Sequence, residues 1–101
     1  MALRIRFDAQ AKRDLLDIRS YLMEHAGTAA AERVRKHLRE RIYRLHDTPL
    51  IGVVTSEPSI RILPPTRYPY RIYYTVAAEA VVILHIRHSA RRDPDLDDLK
   101  R

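Results

Sequence analysis

Three stretches in the C-terminal third of this 101-residue chain carry side chains that bind anions or move protons. Residues 61–71 hold Arg61, Arg67, Tyr68, Tyr70 and Arg71. Residues 70–76 add Tyr73 and Tyr74, and residues 83–92 supply His85, Arg87, His88, Arg91 and Arg92. Guanidinium forks match phosphate and carboxylate oxygens two at a time, while tyrosine and histidine stack on bases and exchange protons. Strand alternation turns Arg71 and Tyr73 away from Ile72 and Tyr74. If Val82, Leu84 and Ile86 point at a helical layer, His85 and Arg87 point away from it. Arg71, Tyr73, His85 and Arg87 then share one sheet face and form a phosphate-gripping set. The same residue types also suit a solvated antiparallel sheet.

Several other chemistries are excluded or unsupported. His85 and His88 stand three apart on a strand, hence on opposite faces, so the sequence predicts no metal site. His25, His37 and His46 fall on helix surfaces or ends. Two glycines rule out a glycine-rich phosphate loop, and no G-x-S-x-G or H-E-x-x-H motif occurs. Without cysteine there is neither a disulfide nor a thiolate nucleophile. No cofactor is implied.

The formal net charge is +6, unevenly spread. Residues 60–92 hold six arginines against Glu79 alone, whereas residues 93–101 hold four aspartates against Lys100 and Arg101. A basic third of this kind attracts an acidic partner, either nucleic acid or an acidic protein segment. The N-terminus lacks the apolar run of a signal peptide, and nothing approaches the ~20 apolar residues of a membrane span. The expectation is a single-domain, soluble, cytoplasmic protein.

The elements that must position these residues follow from periodicity. Leu3, Ile5 and Phe7 alternate with arginines, predicting a strand over residues 1–7. A helical hairpin follows over residues 8–47. Asp8 suits the first N-cap, and Ala11, Leu15, Ile18 and Leu22 form the first stripe. Gly27 ends that helix and Thr28 caps the next, whose stripe is Val34, Leu38, Ile42 and Leu45. Residues 48–59 read as a loop whose Leu50, Ile51, Val53 and Val54 tuck over the core edge or form a brief strand. Residues 60–92 read as antiparallel strands at 60–63, 70–76 and 81–88, and residues 93–101 as a loose polar tail. The fold class is α+β, with the helical hairpin on one face of a small antiparallel sheet and the other face open.

The segment Arg67-Tyr68-Pro69-Tyr70-Arg71-Ile72-Tyr73-Tyr74, followed by Val81 through Arg91, resembles the C-terminal pattern of ParE-type toxins in the RelE/ParE toxin–antitoxin family. Ala11, Asp14-Leu15, Ile18 and Tyr21, then Leu45, Pro49 and Gly52, extend the resemblance over nearly the whole chain. It implies the same order of strand, helical hairpin and antiparallel sheet. It also implies a type II toxin that inhibits DNA gyrase and is neutralised by a ParD-like ribbon–helix–helix antitoxin with a flexible C-terminal segment. RelE-type relatives instead cleave messenger RNA on the ribosome. In that case Arg71, Tyr73 and His85 would be the catalytic set, with no evident activating partner for His85 or Tyr73. The ending Arg87-His88-Ser89-Ala90-Arg91-Arg92 favours the ParE side, with Arg87, His88, Arg91 and Arg92 as gyrase contacts and no catalytic residue. Leu16, Met23 and Arg35 are the candidate antitoxin contacts.

Overall fold

A computed structural model describes residues 3–99. The first two residues of the expected strand and the last two of the tail, Lys100 and Arg101, lie outside the described residues. Strand β1 (Arg4–Phe7) leads through Asp8, at the N-cap position, into α1 (Ala9–His25). Helix α2 (Thr28–Tyr43) follows, then a 3-10 turn over Arg44–His46. Gly27, with φ of 90°, lies between the helices in the left-handed region that glycine enters without a Cβ penalty. It is the N-cap of α2, so Thr28 begins the helix rather than capping it.

The sheet has five strands in the order β1-β5-β4-β3-β2, where β2 is Val53–Val54, β3 Arg61–Leu63, β4 Tyr70–Val76 and β5 Ala80–His88. The α+β expectation holds, with one addition. The last four strands form an antiparallel meander, but β1 joins β5 in parallel, pairing Arg4 with Ala80 through Phe7 with Ile83. The two helices and the meander return the chain as β5, directly beside β1 and running in its direction, so the sheet is mixed.

The main core lies between the helical hairpin and the sheet. Ala11, Val34, Leu38 and Ile42 meet Ile72, Tyr74, Val81, Ile83 and Ile86, with Leu15, Ile18 and Leu22 packed alongside. The expected α2 stripe is therefore buried, and the expected α1 stripe faces the same core, with Ala11 buried and Leu15, Ile18 and Leu22 half-buried. Each fully buried aliphatic side chain contributes about 1.5–3 kcal/mol.

Two expectations need correction. Of the two courses expected within residues 48–59, the brief strand is the one taken, with Val53–Val54 forming the edge strand β2, and what needs correction is the tucking over the core, since Leu50, Ile51, Val53 and Val54 are all exposed. The segment is held by polar contacts instead. Arg61 Nη1 donates to the carbonyls of Leu50 and Gly52 at 3.0 and 2.8 Å, and Tyr74 reaches in from β4. The tail is not loose, and the second sheet face is not open. Asp95 Oδ1 accepts the Asp97 N–H at 3.0 Å at the start of a one-turn helix α3 (Leu96–Leu99). Leu99 and Leu96 pack on Ile60, Tyr73, Val82 and Leu84, a second small core on the far face of the sheet. Two leucines three residues apart give even this aspartate-rich segment an apolar face to bury.

Candidate functional site

Arg71, Tyr73, His85 and Arg87 lie on the sheet face away from the helical hairpin, as alternation predicts, but by a different route. Tyr73 pairs with His85 whereas the next residue, Tyr74, pairs with Ile83, so Leu84 is an extra residue in β5. This bulge reverses the phase of alternation. Before it Val81 and Ile83 face the helices, after it Ile86 does, and Val82 and Leu84 lie on the far face with Tyr73. The assignment of Val82 and Leu84 to the helical layer is thus corrected. A bulge re-aims side chains locally, and here it brings His85 into line with Tyr73 and sets Arg87 opposite Arg71.

An acid that sequence reading passed over organises this cluster. Beyond Ile83, β5 has no β1 partner, because the chain turns at Asp8 into α1. Asp14, one helical turn into α1, takes over the vacated edge. Its Oδ2 accepts the Ile86 N–H at 2.9 Å and also the Nδ1–H of His85, while Oδ1 accepts from Gln10 Nε2 at 2.8 Å. Asp14 is only 8% exposed. Burial raises its pKa, but the hydrogen bonds from His85, Ile86 and Gln10 outweigh that, and the carboxyl is held below its usual value of 3.8. With Nδ1 protonated toward Asp14, Nε2 is left as the acceptor for Arg87 Nη1 at 3.1 Å. His85 therefore does have an orienting partner. The signal was present in the sequence: Asp14 interrupts the apolar stripe Ala11–Leu15–Ile18, and an acid there must be paired.

The tail closes over the same face. Asp93 Oδ1 accepts the Tyr73 hydroxyl at 2.7 Å and stands 3.1 Å from Arg71 Nη1. Tyr73 is fully buried, and that burial, together with its bond to Asp93, pushes its pKa up to about 12. The phenol is a donor, not a base, at neutral pH.

The candidate gyrase contacts divide into two groups. Arg87 is half-buried and turned toward His85. His88, Arg91 and Arg92 are exposed in and beyond a tight turn. His88 shapes that turn: its Nδ1 accepts the Ala90 N–H at 3.0 Å, its carbonyl accepts the Arg91 N–H at 3.0 Å, and its ring stands edge-on to Tyr70. Among the antitoxin candidates, Leu16 and Met23 are exposed on α1, and Arg35 lies on α2 beside Glu32. Arg35 lines a groove of about 380 Å³ with Ile5, Phe7, Lys36, Arg39 and Tyr43, which includes neither Leu16 nor Met23.

The model of the ParE toxin family, described as the toxin of the type II toxin–antitoxin system parDE, matches residues 5–93. The chain belongs to the ParE toxin family.

Solved structures agree at the level of the ParE fold. The chain is 20% identical to a chain of the chromosomal ParDE toxin–antitoxin system from P. aeruginosa, with a TM-score of 0.76 over 86% of this chain and 96% of that one. The RelBE2 toxin–antitoxin complex from Mycobacterium tuberculosis gives 0.65 at 22% identity, covering 87% and 99%. The isolated E. coli RelE toxin gives 0.58 at 20%, covering 91% and 89%. A search of curated proteins gave no significant match. Among the described residues of this ParE family member, no helix is long and apolar enough to cross a membrane, and no acid–histidine group has metal-binding geometry.

Proposed function

We propose that this toxin arrests growth by binding DNA gyrase through the turn after β5, with Arg91 and Arg92 as the contacts and His88 holding the turn. The observation that carries this reading is the contrast between the two arginine groups. Arg71 faces Asp93 and Arg87 faces His85, whereas Arg91 and Arg92 stand exposed just beyond the end of β5. Exposed guanidiniums on a short, braced turn suit macromolecular contact without bond cleavage. In a supercoiling assay with purified gyrase, replacing both Arg91 and Arg92 by alanine is expected to raise the half-inhibitory concentration at least about tenfold, or roughly 1.4 kcal/mol. Equal inhibition by variant and wild type would remove the turn from the mechanism.

A ParD-like ribbon–helix–helix antitoxin is the proposed neutralising partner. The groove between α2 and β1 supports this in its lining, apolar from Ile5, Phe7, Ile42 and Tyr43 and basic on balance, with Arg35, Lys36 and Arg39 against Glu40. Its wall β1 is an edge strand that can accept another. An acidic, partly extended segment fits both properties. Arg35 remains a candidate contact there, and Leu16 and Met23 would need a segment that continues over α1.

One observation favours a second reading, ribosome-dependent RNA cleavage by Arg71, Tyr73 and His85. Asp14, His85 and Arg87 form a continuous hydrogen-bonded line next to Tyr73, which supplies the orienting acid that a histidine base requires. Mapping transcript ends after induction separates the two: intact transcripts with supercoiling lost support gyrase, and new ribosome-phased ends support cleavage.

A further inference from the structure

Helix α2 carries a row of cations on the flank opposite the α2–β1 groove. Arg33, His37, Arg41 and Arg44 follow one another at intervals of four, four and three residues, Arg44 as the C-cap. At helical pitch they fall within about 80° of arc and along about 16 Å of the axis. The groove uses the other flank, with Arg35, Lys36, Arg39 and Tyr43, and Glu40 lies on the ridge between the two. The connection from β3 to β4 runs beside the row. His37 Nε2 lies 3.2 Å from Thr66 Oγ1, and its ring stands edge-on to Tyr68 at 5.1 Å. Arg67, 5.7 Å over the Tyr68 ring, adds a guanidinium across from the row.

These guanidiniums are not used internally. Among the described residues, Arg33, Arg41, Arg44 and Arg67 have no hydrogen-bond acceptor and no carboxylate within ion-pair distance. Arg41 is half-buried all the same, and burial lowers its pKa. His37 is held below its ordinary 6.5, first by burial and then by Arg41 and Arg67, with Arg44 adding to this and Glu40 opposing it. The row is therefore repulsive in the free chain, and a line of negative charge laid along it relieves the repulsion.

The make-up of the flank decides between acidic ligands. A protein segment that folds on binding gains from apolar burial, which the groove offers through Ile5, Phe7, Ile42 and Tyr43. Here the exposed residues are Arg33, Arg44, Thr66 and Arg67, and Tyr68 is half-buried between His37 and Arg67. A sugar–phosphate backbone needs little more than spaced cations. Single-stranded bases would need exposed rings to stack on, and this flank presents none, which favours a duplex.

We propose that Arg33, Arg41 and Arg44 of α2, with Arg67 across from them, bind the phosphate backbone of a nucleic-acid duplex, with His37 inside the contact. This goes beyond the gyrase reading and does not rest on it, since Arg91 and Arg92 lie outside the row. It lies on the helical layer, not on the sheet face that bears Arg71 and His85. The contact is indifferent to base sequence, and no bond is broken in it.

The test follows binding of the full chain to a short labelled DNA duplex by fluorescence anisotropy over a salt series. Each phosphate contact adds about 0.9 to the slope of log affinity against log salt. Arg41→Gln with Arg44→Gln is expected to lower the slope by about 2 and to weaken binding about tenfold at roughly 0.1 M salt. Arg33→Gln with Arg67→Gln, at exposed positions where folding is not at stake, is expected to do the same. Lys12→Gln with Arg19→Gln removes equal charge from exposed positions on α1 and is expected to leave the slope unchanged. Because the bound anion lets His37 regain its proton, going from about pH 7.5 to about pH 6 is expected to tighten wild-type binding about threefold and to leave His37→Gln nearly unmoved. Duplex RNA is titrated alongside, and loss of binding to either duplex in the row variants supports the site. Equal slopes for wild type and both row variants overturn it, as does an equal fall in the α1 control, which would make net charge the cause. Poly-glutamate of matching charge that binds more tightly than either duplex through the same arginines assigns the row to an acidic protein and overturns the nucleic-acid reading.

Discussion

Asp14→Ala is expected to destabilise the protein by about 3 kcal/mol, lowering its melting temperature by roughly 12–24 °C. The change removes the acceptor for three donors at once: His85 Nδ1–H, the Ile86 N–H and Gln10 Nε2. The Ile86 amide is the critical one, because it lies on the stretch of β5 that β1 does not cover and has no strand beside it to replace the carboxylate. A buried amide left unpaired costs about 1–3 kcal/mol, and the loss of charge-assisted bonds to the carboxylate adds to it. Asp14→Asn keeps one oxygen for Ile86 and is expected to lose about half as much. The pH dependence has a definite sign. Because the folded carboxyl titrates below its ordinary 3.8, its stabilisation is fully present above that value and is lost as pH falls through the lower, folded value. The gap in melting temperature between wild type and Asp14→Asn is therefore constant at neutral pH and closes in acid. A gap that widens on acidification, or an alanine variant melting with the wild type, would contradict this role.

Gly52→Ala is expected to cost about 2–3 kcal/mol, although the residue lies on a short surface segment. A Cβ at Gly52 would stand 2.5 Å from the Tyr74 hydroxyl oxygen and 2.7 Å from Cε1. The ring cannot recede. It is fully buried, its hydroxyl donates to the Pro49 carbonyl at 2.7 Å, and it accepts the Gly52 N–H at 2.8 Å. Tyr74→Phe alone deprives both backbone groups of their partner and is expected to cost about 1–3 kcal/mol. The two changes touch one contact, so the double variant is expected to lose less than the sum of the singles. Denaturant melts of the four proteins measure this coupling; strict additivity would mean the contact does not hold residues 49–52 in place.

What was legible in the sequence is what periodicity encodes. The stripes Ala11–Leu22 and Val34–Leu45 gave the helical hairpin, and the alternation of Tyr70–Val76 gave β4 with its bounds. The common face of Arg71, Tyr73, His85 and Arg87 was legible because all four lie on the same side of the bulge. Relations between distant residues were not. Nothing local in Leu3–Phe7 distinguishes a parallel neighbour of Ala80–Ile83 from an antiparallel one. A one-residue insertion at Leu84 leaves no mark in a run of apolar residues. Asp93 looks like an ordinary surface acid, and Asp14 shows only as a break in an apolar stripe with no partner named, until the fold brings them, 20 and 71 positions away, against Tyr73 and His85. The tail was misread because its four aspartates outweigh two leucines in composition but not in packing.

The parallel pairing of β1 with β5 also sets a schedule. Strand β5 lies between a partner made at the start of synthesis and one made just before it, and the longer of these closures spans most of the chain. Non-local pairing of this kind slows folding, since the entropy of closing the loop is lost before the contacts that reward it can form. A nascent chain halted anywhere before residue 80 has neither the arginine–histidine face nor the turn beyond it. Both features are thus missing for nearly all of the chain's own translation and are completed only at its end, so whatever the face and the turn bind meets them only in a nearly finished molecule.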